Sequence, residues 1–516
     1  MRSGTDLRTL RVGLTGLALA LVVAVAPAGA ATVTVRYALY PDWTDPAMSY
    51  TVAGWQILSQ THTPLLTYVR AEGPAGTQLM PGLAEAMPVI SPDGKTYTFQ
   101  LRAGLRYSDG QPVHAGDFEH AIKRVLRLDS GASVFYTSTI VGAKRYRARR
   151  RGGISGITAR GRTITVRLLA ANGQFPFIVA MPFASLVPSS TPFRYTHASA
   201  AGVGPLRFHS DDLRRGRLVL RRNPFFALPG IPPAVSDEIR VVERARRFDV
   251  EDDASFARPP HTRAVETVST YYFFLNHRTP PFDRKEVRQA VNFGVDRRAL
   301  SAAYGGWIRP GCTFLPPILA PERASEPCPY GDPNAAPQVE RARRMIAAAG
   351  ATGASVKVYG NTEPVTRAVT SAFVDSLNAI GLRARARIVR TRRYFQTIGR
   401  QRERAQSGFT NWFQDYPHPG NFLFLVDPDT IRRTNNQNFG NVDDPLIKSE
   451  LDRLRRLPLA DALPGYLALD RRVVDEAHVV PFGHFAIRLN FSSRVPPECF
   501  VFHPVFQIDF SRLCVT

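Results

Sequence analysis

Apolar and polar residues alternate in five short runs of this sequence, and the alternation predicts β-strands. Side chains of a strand point to its two faces in turn, so such a run buries one face and exposes the other. Two of the runs follow turn-forming residues, Ser91 to Gly94 and Arg160 to Arg162, and predict hairpins of an antiparallel subdomain. The predicted strands are 32–39 (TVTVRYAL), 96–101 (TYTFQL), 163–168 (TITVRL), 218–220 and 239–242.

Four other segments repeat apolar residues every three or four positions, which is the spacing of one face of a helix. The first begins at Ala115-Gly116-Asp117, with Asp117 as the expected N-cap. The last is followed by Gly381, which we expect to cap its C-terminus. The other three predicted helices cover 284–300, 339–349 and 365–380.

The order of elements changes at about Tyr271. From there on, predicted strands alternate with long helices, an order typical of a largely parallel sheet with helical crossovers. The strands of this part are 271–276 (YYFFLN), 355–360 (SVKVYG) and 384–389 (ARARIV). The sequence therefore predicts an antiparallel subdomain near the N-terminus and an α/β region after it.

Residues 1–30 have the pattern of a secretory signal peptide. Three arginines precede an uncharged apolar run, Leu14 to Ala26, and small residues follow before a cleavage site expected at Ala31. The run is shorter than the roughly 20 residues of a spanning helix, although a retained anchor is the alternative. No other stretch is apolar enough to span a bilayer, so we expect an exported protein. The first cysteine is Cys312, so no lipid-bearing cysteine is expected at the cleavage site.

The chain has 516 residues, 44% of them hydrophobic, which is enough for more than one core. Its net charge of +23 comes mostly from arginine spread along the whole sequence. The densest cluster, 144–151 (KRYRARRR), is compatible with a nucleic-acid or anionic-membrane patch, but a solvated loop is the favoured interpretation. An arginine-rich composition explains this charge, and no nucleic-acid partner is expected.

The four cysteines form two close pairs, and export to an oxidising compartment favours disulfides over metal ligation. Four cysteines allow three connectivities, and the spacing favours Cys312 with Cys328 and Cys499 with Cys514. Zinc is disfavoured because the sequence has no CxxC motif or closely spaced His pair beside them.

Four ordered strings resemble the dipeptide/oligopeptide family of ABC-transporter solute-binding proteins, known as solute-binding protein family 5. They span nearly the whole chain after the predicted signal peptide. The strings are 79–85 (LMPGLAE) followed by 91–118 (SPDGKTYTFQLRAGLRYSDGQPVHAGDF), 271–300 (YYFFLNHRTPPFDRKEVRQAVNFGVDRRAL), 411–423 (NWFQDYPHPGNFL) and 479–495 (VVPFGHFAIRLNFSSRV).

The resemblance implies a two-lobed α/β fold of the type II periplasmic-binding-protein class, with an extra antiparallel α+β subdomain packed on the first lobe. The sequence departs from the family between Val242 and Thr270, where it is shorter, so part of the first lobe is expected to be trimmed. The implied domains are the signal peptide at 1–30, lobe I at 31–58 with 181–270 and 481–516, the subdomain at 59–180, and lobe II at 271–480.

The implied function is capture of a peptide between the lobes and its delivery to the permease subunits of an ABC importer. We expect a monomer that is not an enzyme, needs no cofactor and meets the membrane only through its transporter. A non-peptide ligand, such as a nickel chelate, haem, an opine-like or a sugar-like solute, is the alternative within the family. A secreted hydrolase or a polyanion-binding adhesion protein is the alternative from other classes, but HExxH, GxSxG and Walker motifs are absent from the sequence.

Asp415 in the NWFQDYP loop matches the residue that related peptide binders use to pair with the free α-amino group of the ligand. Acceptance of hydrogen bonds from loop amides is its alternative role. Backbone groups of Asn411 and Phe413 are expected to pair with an extended peptide, as an added strand would. Phe409 stands where some relatives carry an arginine for a ligand carboxylate, so a tripeptide of fixed length is disfavoured and a ligand carboxylate would need another arginine.

Five aromatic residues are candidates for the walls of the pocket, because aromatic side chains bury a large area and, in Tyr and Trp, keep a polar tip. Core packing is an equal alternative for Tyr271 and the favoured one for Trp43. The candidates are Trp412, Tyr416, Tyr271, Tyr272 and Trp43.

Overall fold

The computed structural model describes residues 31–37, 41–195, 199–252 and 261–516. The predicted signal peptide at 1–30, and Ala38 and Leu39 of the first predicted strand, lie outside the described residues. The described strands are β1 (Thr32–Tyr37), β2 (Leu66–Tyr68), β3 (Leu79–Pro81), β4 (Val89–Ile90), β5 (Thr96–Gln100), β6 (Ile157–Arg160), β7 (Thr163–Arg167), β8 (Leu206–Asp212), β9 (Arg217–Arg222), β10 (Glu238–Val242), β11 (Val250–Asp252), β12 (His261–Glu266), β13 (Ser269–Leu275), β14 (Ile308–Pro310), β15 (Ser355–Asn361), β16 (Arg383–Val389), β17 (Ser407–Phe413), β18 (Val479–Phe491), β19 (Phe502–His503) and β20 (Gln507–Ile508).

Helices fill the segments between these strands, mostly in the second half of the chain. The described α-helices are α1 (Val52–Thr61), α2 (Gly116–Arg127), α3 (Ser133–Thr137), α4 (Ala143–Arg149), α5 (Phe175–Ile178), α6 (Lys285–Gly294), α7 (Arg297–Ala303), α8 (Pro321–Ala324), α9 (Val339–Ala348), α10 (Pro364–Ala379), α11 (Tyr394–Ile398), α12 (Gly420–Leu423), α13 (Pro445–Leu454) and α14 (Leu459–Asp475).

One twelve-stranded sheet runs through the molecule, and the long strand β18 belongs to both of its halves. Residues 479–485 of β18 pair with β13 and β14, whereas residues 486–491 pair with β11 and β12. The other connection between the halves is the short segment Thr267–Val268, which bends between β12 and β13. We call the described residues of 31–266 and 486–516 lobe I, and residues 269–485 lobe II. The two lobes are therefore joined by two adjacent crossings, one within β18 and one at this bend.

Lobe I contains a mixed sheet and the predicted antiparallel subdomain. Strand β1 lies parallel to β10 and β11, and its alternating pattern buries Val33, Val35 and Tyr37 in the core of the lobe. The subdomain has a four-stranded antiparallel sheet in the order β4-β5-β7-β6, packed with α2, α3 and α4. The predicted hairpins are confirmed in this sheet.

The sheet of lobe II is mixed, so the expectation of a largely parallel sheet is corrected. Strand β15 is parallel to β16 and β17, as predicted for strands joined by helical crossovers. Strand β13, however, is antiparallel to both β17 and β18. The physical reason is that the chain enters lobe II along β13 and leaves it along β18, and two adjacent crossings in opposite directions pair as antiparallel neighbours.

Two helix predictions are corrected in detail, and the C-terminal cap predicted at Gly381 is confirmed. The segment 284–300 forms two helices, because Asp296 accepts a hydrogen bond from the N–H of Ala299 at 3.0 Å and caps a new helix, α7. Asp117 lies in the first turn of α2 instead of at its N-cap, and its carboxylate accepts hydrogen bonds from Tyr107 Oη and His114 N–H, each at 2.8 Å. Helix α10 ends at its cap Ile380, and Gly381 follows it with a positive φ of +93°.

The basic cluster at 144–151 forms most of helix α4 and not the expected loop. Tyr146 and Ala143 are buried against the subdomain core, so the basic side chains of this short helix face solvent. A single apolar contact face is enough to hold the segment helical despite its charge. Among the described residues, no helix is long and apolar enough to cross a membrane.

Both close cysteine pairs are bonded in the structure. Cys312 and Cys328 have Cα atoms 6.0 Å apart, and those of Cys499 and Cys514 are 5.1 Å apart. The first disulfide closes a loop beside β14 in lobe II, and the second ties the C-terminal segment of lobe I.

Candidate functional site

A cavity of about 130 Å³ lies between the lobes, next to the crossing segment Thr267–Val268. Its walls come from three separate parts of the chain: the start of α1 and the loop before it, the end of β17, and the C-terminal segment around β20. Besides the crossing residues, the lining consists of Tyr50, Thr51, Val52, Trp55, Phe413, Gln414, Asp415, Pro504, Val505 and Gln507.

Asp415 follows directly after β17 and is held by a loop that folds back on itself. Its backbone N–H donates to Asn421 Oδ1 at 2.8 Å, and Asn421 Nδ2 donates to Asp415 Oδ2 at 3.0 Å. Pro417 and Pro419 lie between these two residues, and their fixed φ angles favour the turn that brings Asn421 back. The second carboxylate oxygen, Oδ1, accepts a hydrogen bond from Tyr50 Oη of lobe I at 2.9 Å.

The Asp415 carboxylate is buried without a cationic partner. Only 9% of the residue is exposed, and no Lys, Arg or His of the described residues forms an ion pair with it. Burial raises the pKa of Asp415, and the hydrogen bonds from Asn421 and Tyr50 oppose this rise. A buried carboxylate is costly unless it is paired, so this position favours a positively charged ligand group.

Gln414 adds a second acceptor at the cavity. Its Nε2 donates to Pro504 O at 2.8 Å across the lobes, whereas its buried Oε1 has no hydrogen-bond partner among the described residues. A buried acceptor without a donor costs about 1–3 kcal/mol, so a ligand donor at this point would be favourable. Within the described part of the chain, no group of three or more His, Cys, Asp or Glu side chains could hold a metal ion.

Among the described residues, no strand pairs with one edge of β17 from Thr410 to Phe413, and just before this free edge Phe409 O accepts a hydrogen bond from Tyr394 Oη. Strand β15 pairs with β17 only at Ser407 and Gly408, and β13 covers the opposite edge along its whole length. The N–H of Gln414 donates to Val268 O on the β13 side. Antiparallel ladders alternate, so the backbone groups of Asn411 and Phe413 point to the free edge.

Three of the predicted site residues lie near Asp415 but have different surroundings. Phe413 lines the cavity and packs edge-on against Phe485 with ring centroids 5.9 Å apart. Trp412 Nε1 donates to Asn421 Oδ1 at 3.3 Å. The same oxygen accepts the backbone N–H of Asp415, so the indole contacts the side chain that holds Asp415 in place. Tyr416 crosses into the subdomain core and donates to Gln174 Oε1 at 2.7 Å, which makes it a contact between the lobes and not a wall of this cavity.

Tyr271, Tyr272 and Trp43 do not line the cavity. Tyr271 and Tyr272 are neighbours on β13, a central strand covered on both faces, so each is buried in a different core of lobe II. This favours the core-packing role for both. Trp43 packs edge-on against Tyr195 with ring centroids 4.4 Å apart. Phe409 is also a core residue of lobe II.

Sequence reasoning missed Tyr50, Gln414 and Asn421. Asn421 stands six residues after Asp415 in the same string. The two prolines between them indicate a turn, from which the contact between Asn421 and Asp415 could have been inferred. Tyr50 is 365 positions away from Asp415 and has no local signal.

The sequence profile described as bacterial extracellular solute-binding proteins, family 5 Middle, matches residues 78–431. This chain belongs to that family. Dipeptide-binding protein DppE of Bacillus subtilis (strain 168) is 24% identical to this family 5 protein over 298 residues, which are 50% of this chain and 51% of DppE. The chain thus spans about half the length of this relative. Di/tripeptide-binding protein 2 of Pseudomonas aeruginosa (strain UCBPP-PA14) is 26% identical over 437 residues, 74% of this chain and 76% of the relative.

Among solved structures, the family 5 chain is similar to clavulanic acid biosynthesis oligopeptide binding protein 2. The two share 26% identity with a TM-score of 0.83, and the match covers 93% of this chain and 95% of the other. The predicted fold class, a two-lobed α/β fold with an added subdomain, is therefore confirmed.

Proposed function

We propose that this protein is the exported solute-binding component of an ABC importer and that it captures peptides by their free amino terminus between its two lobes. In this proposal residues 1–30 direct export, the mature protein is a monomer without enzymatic activity, and permease subunits receive the ligand. The two crossings at Thr267–Val268 and Phe485–Ala486 serve as the hinge between the lobes.

The observation that carries the proposal is the buried carboxylate of Asp415 in a cavity between the lobes, which has no cationic partner in the part of the chain that the structure describes. A peptide ammonium group would supply the missing counter-ion and hydrogen-bond donors, one of which could reach Gln414 Oε1. The names of relatives and of a similar structure, a dipeptide-binding, a di/tripeptide-binding and an oligopeptide binding protein, support the same ligand class.

The free edge of β17 supports an extended ligand. A peptide laid against Asn411 and Phe413 would form main-chain hydrogen bonds that do not depend on its side chains, as strand addition does elsewhere. With its amino terminus at Asp415, beyond the end of β17, such a peptide would run antiparallel to this strand. The cavity and the edge together therefore define one polarity for the ligand.

Calorimetric titration of a peptide and its N-acetylated form against the native protein and Asp415→Asn tests the proposal. The native protein should bind the free peptide and bind the acetylated one poorly. Removing one partner of a buried ion pair typically costs about 3–5 kcal/mol, so Asp415→Asn should lose about two orders of magnitude or more in affinity for the free peptide. The two peptides should then bind the variant with similar affinity, which completes a double-mutant cycle.

Asp443→Asn is the matched control, because Asp443 is an exposed carboxylate of the same lobe paired with Arg278. It should bind the free peptide as the native protein does. Unchanged affinity in Asp415→Asn would refute the amino-terminal anchor. Stabilisation by a nickel chelate, haem or an opine-like solute, with no peptide bound from a library, would refute the peptide as the ligand.

A further inference from the structure

A second cavity, of about 470 Å³, lies in lobe II beside the free edge of β17. Strand β17, helix α11 and the segment 435–439 form its walls. Its lining residues are Phe395, Gln396, Thr410, Asn411, Trp412, Leu425, Asn435, Asn436, Gln437 and Phe439.

The chemistry of this cavity is aromatic and amide without charge. None of the described residues that line it carries a formal charge, although the protein as a whole is strongly basic. Phe395 and Phe439 stack with ring centroids 6.1 Å apart, and Phe395 is still 52% exposed. An exposed aromatic residue at the mouth of an uncharged cavity is typical of a surface that a ligand covers.

The cavity lies on the face of β17 that carries Trp412. Trp412 packs on the same core of lobe II as Leu425 and Phe439, two other lining residues. The side chain of Asn411, in contrast, lies on the opposite face of the sheet, because Asn411 is directly opposite Tyr271 in the register and Tyr271 belongs to the other core. Asn411 therefore borders the cavity with its backbone at the free edge.

The register of an added strand then identifies one ligand residue. If the amino terminus meets Asp415, the first ligand residue pairs with Phe413 and the third with Asn411, because these two present their backbone groups to the free edge. The second ligand residue lies opposite Trp412. Directly opposite residues of antiparallel strands place their side chains on the same face, so the second side chain points toward the cavity.

We propose that this cavity is a specificity pocket that selects peptides with a bulky uncharged side chain, aromatic above all, at their second residue. The proposal rests on the proposed peptide-binding function and names the ligand class more narrowly. Phe395, Trp412 and Phe439 stack on the ring, and the amides of Gln396, Asn435 and Gln437 accept or donate hydrogen bonds to a polar tip. A charged side chain would lose water without gaining a counter-ion there.

Four tetrapeptides that differ only at the second residue test the pocket: Ala-Phe-Ala-Ala, Ala-Gly-Ala-Ala, Ala-Asp-Ala-Ala and Ala-Lys-Ala-Ala. The native protein should bind the Phe peptide at least tenfold more tightly than each of the other three. An aromatic pair contributes about 0.5–1.5 kcal/mol beyond its buried area, so Phe395→Ala should weaken binding of the Phe peptide by about twofold to twelvefold. The same variant should bind the Gly peptide as the native protein does.

Phe225→Ala is the matched control, since Phe225 is an exposed phenylalanine of lobe I, 45% accessible and distant in sequence from the pocket. It should leave all four affinities unchanged. Gln396→Glu supplies a gain of function: the new carboxylate should tighten the Lys peptide about threefold to fivefold and weaken the Asp peptide, in line with a partly exposed ion pair.

The outcomes separate the two proposals. If none of the four peptides binds the native protein, and none binds in a wider library, the peptide-binding function fails. If the peptides bind with equal affinity, and neither Phe395→Ala nor Gln396→Glu changes their order, peptide binding stands and the pocket assignment is wrong.

Discussion

Tyr50 of lobe I donates a hydrogen bond to Asp415 of lobe II at 2.9 Å, across the cavity between the lobes. The carboxylate that we propose as the ligand anchor is therefore also part of the contact that joins the lobes. Tyr50 is itself held in place, because its N–H donates to Asp42 Oδ2 at 2.9 Å and its ring stacks on Trp55 with centroids 5.8 Å apart. In the proposed function, ligand binding and lobe closure therefore act on the same carboxylate.

Tyr50→Phe should open the ligand-free protein. The variant keeps the ring and its stacking but removes a hydrogen bond to a charged acceptor, which contributes about 1.5–3 kcal/mol. Small-angle X-ray scattering should report a larger radius of gyration for the ligand-free variant than for the native protein, and saturating peptide should restore the native value.

Tyr304→Phe is the matched control for this measurement. Its hydroxyl lies 3.5 Å from Tyr271 Oη inside lobe II, so its loss should not affect the angle between the lobes. A ligand-free Tyr50→Phe protein with the native radius of gyration would contradict the idea that this hydrogen bond holds the lobes together.

Peptide affinity should rise with pH on an acidic limb and fall again on an alkaline limb. Burial raises the pKa of Asp415 above its ordinary value of 3.8, so affinity should rise with increasing pH as the free protein passes through that raised pKa and the carboxylate ionises. Affinity should fall again above about pH 8, where the peptide α-amino group loses its proton. Calorimetric titrations between pH 4 and 9 measure both limbs.

The two limbs can be removed separately. Asp415→Asn should lack the acidic limb, and a peptide with an acetylated amino terminus should lack the alkaline one. An unchanged acidic limb in Asp415→Asn would assign it to another group.

Asp470→Asn should destabilise lobe II. Asp470 pairs with the buried Arg323 at 2.9 Å and accepts the N–H groups of Phe314 and Leu315 at 2.9 and 2.8 Å. Asparagine keeps an acceptor but leaves the Arg323 cation with Glu326, at 3.0 Å, as its one ion-pair partner among the described residues, so we expect a loss of about 3 kcal/mol in the free energy of unfolding. Urea denaturation monitored by circular dichroism measures this loss.

The size of this effect should itself depend on pH. Burial raises the pKa of Asp470 to about 6, above its ordinary value of 3.8, so the folded native protein takes up a proton as the pH falls through 6 and gains stability relative to the unfolded chain. Asparagine cannot take up this proton, so the difference in stability between native protein and variant should be larger at pH 5 than at pH 7.5. Asp452→Asn, which removes an exposed carboxylate, should change the stability by less than about 1 kcal/mol at either pH.

Peptide mapping under non-reducing conditions should recover Cys312 linked to Cys328 and Cys499 linked to Cys514, with no free thiol. The double variant Cys312→Ser/Cys328→Ser should lose up to about 3 kcal/mol in the free energy of unfolding, because a loop of this length gains conformational entropy in the unfolded chain. Four alkylatable thiols in protein from its native compartment would contradict the two bonds.

The sequence by itself determined the features that depend on neighbouring residues. Alternation located strands β1, β5 and β7, helical spacing located α9 and α10, and the ordered strings indicated the family. Even the candidate anchor Asp415 was found this way, because the NWFQDYP loop is one contiguous stretch. Such features are set by local periodicity and turn chemistry, which a single sequence displays directly.

Only the tertiary structure decided what meets Asp415 and where each aromatic side chain lies. Tyr271 and Tyr272 are adjacent in sequence, yet they enter opposite cores because β13 is covered on both faces. The antiparallel direction of β13 and the hydrogen bond from Tyr50 to Asp415 depend on how two lobes, joined by two crossings, pack against each other. The energies of such contacts come from burial and pairing between distant residues, which no local pattern in the chain encodes.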